Sequence, residues 1–251
     1  RAVFAVNVTN GQLISGLNFN AVNQSTLGMT HSIVDVSGFD HDGDGIVSRI
    51  YAGDLGGNIF AFKDDEIQEF NVCGDPVHKS IVDGTWAAMH LFEASADGVQ
   101  RKILYAPDAV AESFGEYIFF GTGDRADPEE SDVVNRFYAV KNDWTATKAF
   151  TDDDLVDVTA NLIQLGTEAQ KAVVRSALES ESGWYIRLEN TGEKVVASPR
   201  VYAGVVYFTT YTPDSGAGPD PNDPCATSTV RGVARLYAVA YKTGASVHDF
   251  S

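Results

Sequence analysis

A four-residue pattern occurs four times in this chain, as Val3-Phe4-Ala5-Val6, Ile59-Phe60-Ala61-Phe62, Phe137-Tyr138-Ala139-Val140 and Leu236-Tyr237-Ala238-Val239. Each copy is an aromatic residue and an alanine between apolar neighbours, and each leads into a polar turn. The turns are Asn7-Val8-Thr9-Asn10-Gly11, Lys63-Asp64-Asp65, Lys141-Asn142-Asp143 and Lys242-Thr243-Gly244. Aromatic and aliphatic runs of this length read as strands. A strand unit that recurs must bury its faces against further copies, so the chain is expected to be a propeller or another array of small sheets. Phe4, Phe60, Tyr138 and Tyr237 are 56, 78 and 99 residues apart, so the blades carry insertions of growing size.

Further runs fit the same scheme: Lys102-Ile103-Leu104-Tyr105, Tyr117-Ile118-Phe119-Phe120, Val195-Val196-Ala197-Ser198, Val201-Tyr202 and Val205 to Thr210. The fold class expected is all-β, a partial β-propeller of four-stranded blades with loop insertions and one short helix. That helix starts at the capping box Thr167-Glu168-Ala169-Gln170. Ala169, Val173, Ala177 and Leu178 then recur at helical spacing through about Glu181, a decoration placed between blades. The Pro-, Gly- and Asp-rich stretch Asp214 to Pro224 reads as a long exposed loop that Cys225 could tether.

The stretch most specific to chemistry lies just before the second copy. Asp40, Asp42 and Asp44 stand at positions 1, 3 and 5 of a loop, Gly45 at position 6 and Ser48 at position 9. This is the spacing of a calcium loop, in which alternate side chains point at one centre and a glycine permits the sharp turn. Three carboxylates within five residues repel one another, and a hard divalent cation removes that repulsion. The expected ligands are Asp40, Asp42, Asp44, the main-chain carbonyl of Ile46, and Ser48, directly or through a water. Position 12 is Tyr51 rather than a bidentate Glu, so this is no EF-hand. A strand from Ile46 to Ala52, a turn over Asp54 to Asn58 and a return strand from Ile59 to Phe62 are expected to follow. The competing reading is an Asx-turn loop held by local hydrogen bonds.

Composition narrows the function. With 251 residues, 44 % of them hydrophobic, the chain can build a sizeable core, and it is read as one domain over 1–251. It begins at Arg1 with no apolar leader, which suggests a piece of a longer chain. The formal net charge is −17, from 35 acidic and 18 basic residues, which disfavours nucleic acid and anionic lipid as partners. No apolar run is long enough to span a membrane. Cys73 and Cys225 either close one long loop or stay free, and their spacing excludes a CxxC site.

Catalytic signatures are missing: the chain has no HExxH, GxSxG or P-loop. Gly121-Thr122-Gly123 is expected to be a β-turn. His31, His41, His78, His90 and His248 are scattered, with His41 expected to face away from the loop centre. Trp86, Trp144 and Trp184 are expected as core or strand-edge aromatics. Asp152-Asp153-Asp154 is expected in a solvated loop.

Taken together and in order, these motifs resemble the C-terminal β-propeller domain of the PilC/PilY family. The likeness rests on the opening strand and turn and on Asp40 to Phe62 with Tyr51-Ala52-Gly53-Asp54-Leu55-Gly56-Gly57-Asn58. It continues through Tyr117 to Gly123, Gly183-Trp184-Tyr185-Ile186-Arg187-Leu188, Val206 to Pro213, Asp223-Pro224-Cys225 and Leu236 to Val239. The resemblance implies a modified seven-bladed propeller of which this chain supplies the C-terminal blades. The remaining blades would come from the parent chain or a neighbour.

It also implies a non-enzymatic, cell-surface, type IV pilus-associated adhesin and biogenesis factor. Such a protein sits extracellularly at the pilus tip or outer membrane, opposes pilus retraction and touches pilus subunits or a host or abiotic surface. Calcium in the loop would regulate that balance. Where the family commonly has Asp at position 9 this chain has Ser48, which implies weaker binding, nearer the ~10⁻⁴–10⁻³ M of extracellular modules. The family's Arg-Gly-Asp tripeptide does not occur here.

Two other readings compete with this one. A quinoprotein dehydrogenase shares the strand pattern, but the docking Trp is missing after Gly11 and Gly244, and there is no adjacent cysteine pair. A structural or lectin-like surface propeller unrelated to pili needs none of these features.

Overall fold

The computed structural model describes residues 2–20, 27–41, 43, 45, 47–65, 69–70, 76–77, 85–213 and 232–247. In chain order its elements begin with β1 (Ala2–Val6), β2 (Leu13–Asn20), β3 (Ile33–Phe39), β4 (Arg49–Asp54) and β5 (Asn58–Asp65). Next come β6 (Glu69–Phe70), β7 (Pro76–Val77), β8 (Thr85–Glu93), β9 (Asp108–Glu112), β10 (Gly115–Gly121), β11 (Arg136–Asn142) and β12 (Val156–Asp157). Helices α1 (Leu162–Leu165) and α2 (Glu168–Ser180) precede β13 (Gly183–Arg187), β14 (Lys194–Val195), β15 (Arg200–Tyr202), β16 (Val205–Thr212) and β17 (Val233–Ala240).

The strands form successive small sheets, mostly antiparallel. The second sheet is the meander β3-β4-β5-β8, and the third is β9-β10-β11-β13 with β12 added in parallel at its edge. In the fourth, β14 and β15 both pair with one side of β16 and β17 pairs with the other. The first sheet is the pair β1-β2. All four repeat copies lie on strands, and β5, β11 and β17 hold the same place in their sheets, next after the central hairpin partner.

Packing explains the motif. Phe60 and Phe62 face back to the first sheet's Val3, whereas Ile59 and Ala61 face forward to Ile118 and Phe120 of the third. On β11, Tyr138 and Val140 face back to the second sheet, and Phe137 and Ala139 face forward to Val206 and Phe208. Strand side chains alternate between faces, so every repeat sends its aromatic residue backward and its alanine forward. The small alanine leaves room for the next sheet's large residues. The outermost faces are open: Phe4 is 52 % exposed at one end and Leu236 49 % at the other. This is a partial propeller, mostly β, whose sheets do not close into a ring among the described residues.

Several expectations change. Ile103 is fully buried, yet Lys102 to Tyr105 is not a strand. Its backbone bridges two sheets, Ile103 N–H donating to Asp54 O (3.0 Å) and Lys102 O accepting from Gly123 N–H (2.9 Å). Gly121-Thr122-Gly123 is no turn either. Thr122 N–H extends the ladder to Arg136 O (2.9 Å), and a Cβ on Gly121 would lie 2.3 Å from Val195 Cγ2. The glycine is there to let β14 approach.

The capping box at Thr167 forms as expected, and α2 ends at Ser180. It lies inside the third sheet, between β11 and β13, rather than between blades, and the single turn α1 precedes it. Asp152 to Asp154 form a 3₁₀ turn, not a solvated loop: Asp152 pairs with Arg136, and Asp154 Oδ2 accepts from Thr151 N–H (2.8 Å). Cys73, Cys225, His78, His248 and the stretch Asp214 to Pro224 lie outside the described residues.

Candidate metal loop and the carboxylate behind it

The Asp40–Ser48 loop joins β3 to β4, two antiparallel neighbours, with no helix on either side. The hairpin expected after it is present, although β4 begins at Arg49 rather than Ile46. Its turn is built on Asp54, whose buried Oδ1 accepts from Gly56 N–H (2.8 Å) and Asn58 N–H (2.9 Å).

Of the five expected ligands, Asp40 and Ser48 are described, and Asp42, Asp44 and Ile46 lie outside the described residues. Asp40 anchors the loop from within. Its Oδ1 accepts from Gly43 N–H and its Oδ2 from Gly45 N–H, each at 2.8 Å. Gly43 (φ 80°) and Gly45 (φ 91°) occupy the left-handed region, where a side chain would be strained. The loop is closed at its base, where Ser48 N–H donates to Phe39 O (3.1 Å) and Ser48 O accepts from Asp64 N–H (3.0 Å). Ser48 Oγ is buried and accepts from His41 N–H at 3.4 Å, beside Asp40.

The first carboxylate bonded to the position-6 amide, glycines where the backbone turns left-handed and an oxygen at position 9 form a donor set that suits a hard cation. Asp40, Asp42, Asp44, the Ile46 carbonyl and Ser48 would hold it. The Asp40 hydrogen bonds also satisfy the Asx-turn description. Among the described residues no three acidic, histidine or cysteine side chains cluster to hold a metal.

Behind the loop lies a buried charge that the sequence reading missed. Glu116, on β10 of the next sheet, is fully buried. Its Oε1 accepts from Arg49 Nε (3.0 Å) and lies 2.8 Å from His41 Nδ1. Its Oε2 accepts from Trp144 Nε1 (2.8 Å). Arg49 also donates from Nη1 to Ser48 O (2.8 Å), and its guanidinium carbon stands 5.6 Å from the Trp144 ring centre. His41 thus points out of its own sheet, toward the neighbouring one. Burial pushes the Tyr51 phenol well above its ordinary range, with the Glu116 charge adding to the effect. A readable signal existed: Glu116 shares a strand face with Ile118 and Phe120, where a charge needs a partner.

Trp86 and Trp184 are core residues, as expected, while Trp144 sits just past β11 with φ 62°. No helix among the described residues is long and apolar enough to cross a membrane.

Comparison with known proteins yields a consistent likeness. The chain is 29 % identical over 238 residues to the type IV pilus biogenesis factor PilY1 homolog of Xylella fastidiosa, a match covering 85 % of this chain and 15 % of that protein. Its fold matches the crystal structure of the Pseudomonas aeruginosa PilY1 C-terminal domain with a TM-score of 0.64 at 19 % identity, covering 97 % of this chain and 53 % of that one. No family model matches. The chain therefore spans about one seventh of the curated relative and about half of the solved domain. The resemblance to PilY C-terminal domains carried by its motifs is found in both sequence and fold.

Proposed function

We propose that this chain forms the C-terminal blades of a calcium-binding, type IV pilus-associated biogenesis factor that also serves as an adhesin. The observation that carries the reading is the Asp40–Ser48 loop, seated between two strands of a blade and preceding a hairpin. The 238-residue likeness to a protein named as a pilus biogenesis factor supports it. Calcium held by Asp40, Asp42, Asp44, Ile46 O and Ser48 offsets the repulsion among the three aspartates and fixes the loop. A ligand that binds only the folded state stabilises it by RT ln(1 + [L]/Kd), so weak binding matters at extracellular calcium concentrations. The fixed loop then presents one face of the blade array to pilus subunits or to a surface.

The role is non-catalytic, and its setting is the cell exterior, at the pilus tip or outer membrane. The net charge of −17 suits a calcium-rich medium.

Calorimetry on wild type and Asp44→Ala tests the site. Wild type takes up one calcium ion and the variant loses that uptake; equal uptake refutes the assignment. For the pilus role, a pull-down with purified pili is expected to retain the protein more strongly in calcium than in chelator. Failure to retain it under either condition favours a surface module unrelated to pili.

A further inference from the structure

We propose that Glu116 is a positioning residue for the metal loop: from the neighbouring sheet it sets the loop's calcium affinity and ties calcium binding to the contact between the two sheets. This rests on the calcium reading above and adds the means by which the site is coupled to the rest of the array.

The loop has two ends, and Glu116 lies against a residue at each, hydrogen-bonded at the Arg49 end. His41, at position 2, brings Nδ1 to 2.8 Å from Oε1, and Arg49, directly after position 9, donates from Nε to the same oxygen at 3.0 Å. Arg49 also grips the Ser48 carbonyl at 2.8 Å, so the carboxylate is linked to the ligand residue through one side chain. Glu116 lies 67 residues beyond Arg49 in the chain. Its second oxygen is occupied by Trp144 Nε1, which holds the carboxylate in place from its own sheet.

Two consequences follow for a cation in the loop. A loop tied down at its Arg49 end and packed against Glu116 at its His41 end has less conformational freedom to lose when its ligands converge. The buried Glu116 charge also offsets the Arg49 guanidinium; with that carboxylate made neutral, more of the positive charge acts on the calcium ligands and opposes the ion. Both effects weaken binding when the carboxylate is removed. Linkage makes the coupling reciprocal, so calcium strengthens the contact between the second and third sheets by the same factor. The alternative is that Glu116 merely satisfies Arg49 and leaves the ion indifferent.

Glu116→Gln keeps the shape and removes the charge. Calcium titration by calorimetry is expected to show affinity weakened roughly 5- to 20-fold, with far-UV circular dichroism in chelator unchanged. Saturating calcium should also raise the melting temperature of wild type more than that of the variant at equal concentration. If Glu116→Gln lowers the melting temperature in chelator but binds calcium as wild type does, the role is structural and the inference falls. Should Glu116→Gln fail to fold, Arg49→Lys decides: it keeps the charge but loses the forked link to Glu116 and Ser48, and unchanged affinity overturns the inference. No calcium uptake by wild type overturns the calcium reading itself, and this inference with it.

Discussion

Two interfaces flank the third sheet, and each contains a buried carboxylate put to a different use. Toward the fourth sheet, Phe137 stacks on Phe208 with ring centres 3.8 Å apart and planes at 4°, and Phe208 stacks in turn on Tyr237 at 4.7 Å. Glu193 is buried nearby, and its hydrogen-bond donors are neutral, Thr210 Oγ1 at 2.5 Å, Asn190 Nδ2 at 2.5 Å and Tyr237 Oη at 3.0 Å, with Arg235 Nη1 of the same sheet standing off at 4.0 Å. Those donors belong to its own sheet or the segment leading into it. Toward the second sheet, Phe92, Phe120 and Tyr138 pack at mixed angles, and Glu116 reaches across to a cationic side chain at the edge of the loop. One interface is joined by ring stacking and by the half-exposed Lys242–Glu112 pair, with its buried carboxylate kept at home. The other is joined by packing and by charge, where a ligand could act on it.

The largest expected effect breaks the stacked interface. Phe208→Ala removes the ring between Phe137 and Tyr237 and should cost about 3–5 kcal/mol, read as a fall in the urea midpoint. Calcium uptake should not change, because the loop lies on the other side of the third sheet. Altered uptake would mean that the two interfaces are not independent.

The two buried carboxylates are expected to respond differently to neutralisation. Glu193→Gln turns an amide N–H toward hydroxyl or amide donors and should cost about 1–3 kcal/mol, again with calcium affinity intact. Glu116→Gln is expected to do the reverse and move calcium affinity. Equal effects of both variants on uptake would erase the distinction. Smaller still, Thr167→Ala removes the capping box of α2, where Thr167 Oγ1 accepts from Gln170 N–H at 3.3 Å. It should cost about 1 kcal/mol, seen as faster amide exchange in that helix. Exchange elsewhere should be unaltered.

Much of this was legible beforehand because it depends on local periodicity. The repeats mark the strands following the central hairpin partners, Thr167 marks a helix start, and the aspartate spacing marks a loop between strands. What escaped the reading depends on partners distant in sequence. Lys102 to Tyr105 looks like a strand by side-chain type, but its hydrogen bonds go to two different sheets. Asp152 is paired by Arg136, and Glu116 by residues in another blade, neither visible to periodicity. The placement of α2 within a sheet follows from β13 returning to pair with β11 after a long insertion, and no local signal encodes that return.

The smallest prediction concerns acid, and it touches both interfaces alike. At the second-to-third contact, the hydrogen bond from Arg101 to Asp97 holds that carboxyl below its ordinary range, with Arg136 adding to it at 3.7 Å. At the third-to-fourth contact, Lys242 and then Tyr241 do the same for Glu112, at 2.8 and 2.5 Å. A carboxylate whose folded pKa is depressed stabilises the fold above its unfolded pKa, near 4. That contribution is lost as pH falls through the lower folded value. The Asp97 side chain is 39 % exposed, so solvent screening keeps its share below about 1 kcal/mol. Thermal melts from about pH 5 down to pH 2.5 should therefore show a gradual loss of stability. The gap between wild type and Asp97→Asn should be open at pH 5 and close toward pH 2.5, and Glu112→Gln should behave in the same way. A gap that stays constant through the acid range would mean that these ion pairs contribute nothing through charge, leaving stacking and the buried carboxylates to hold both contacts.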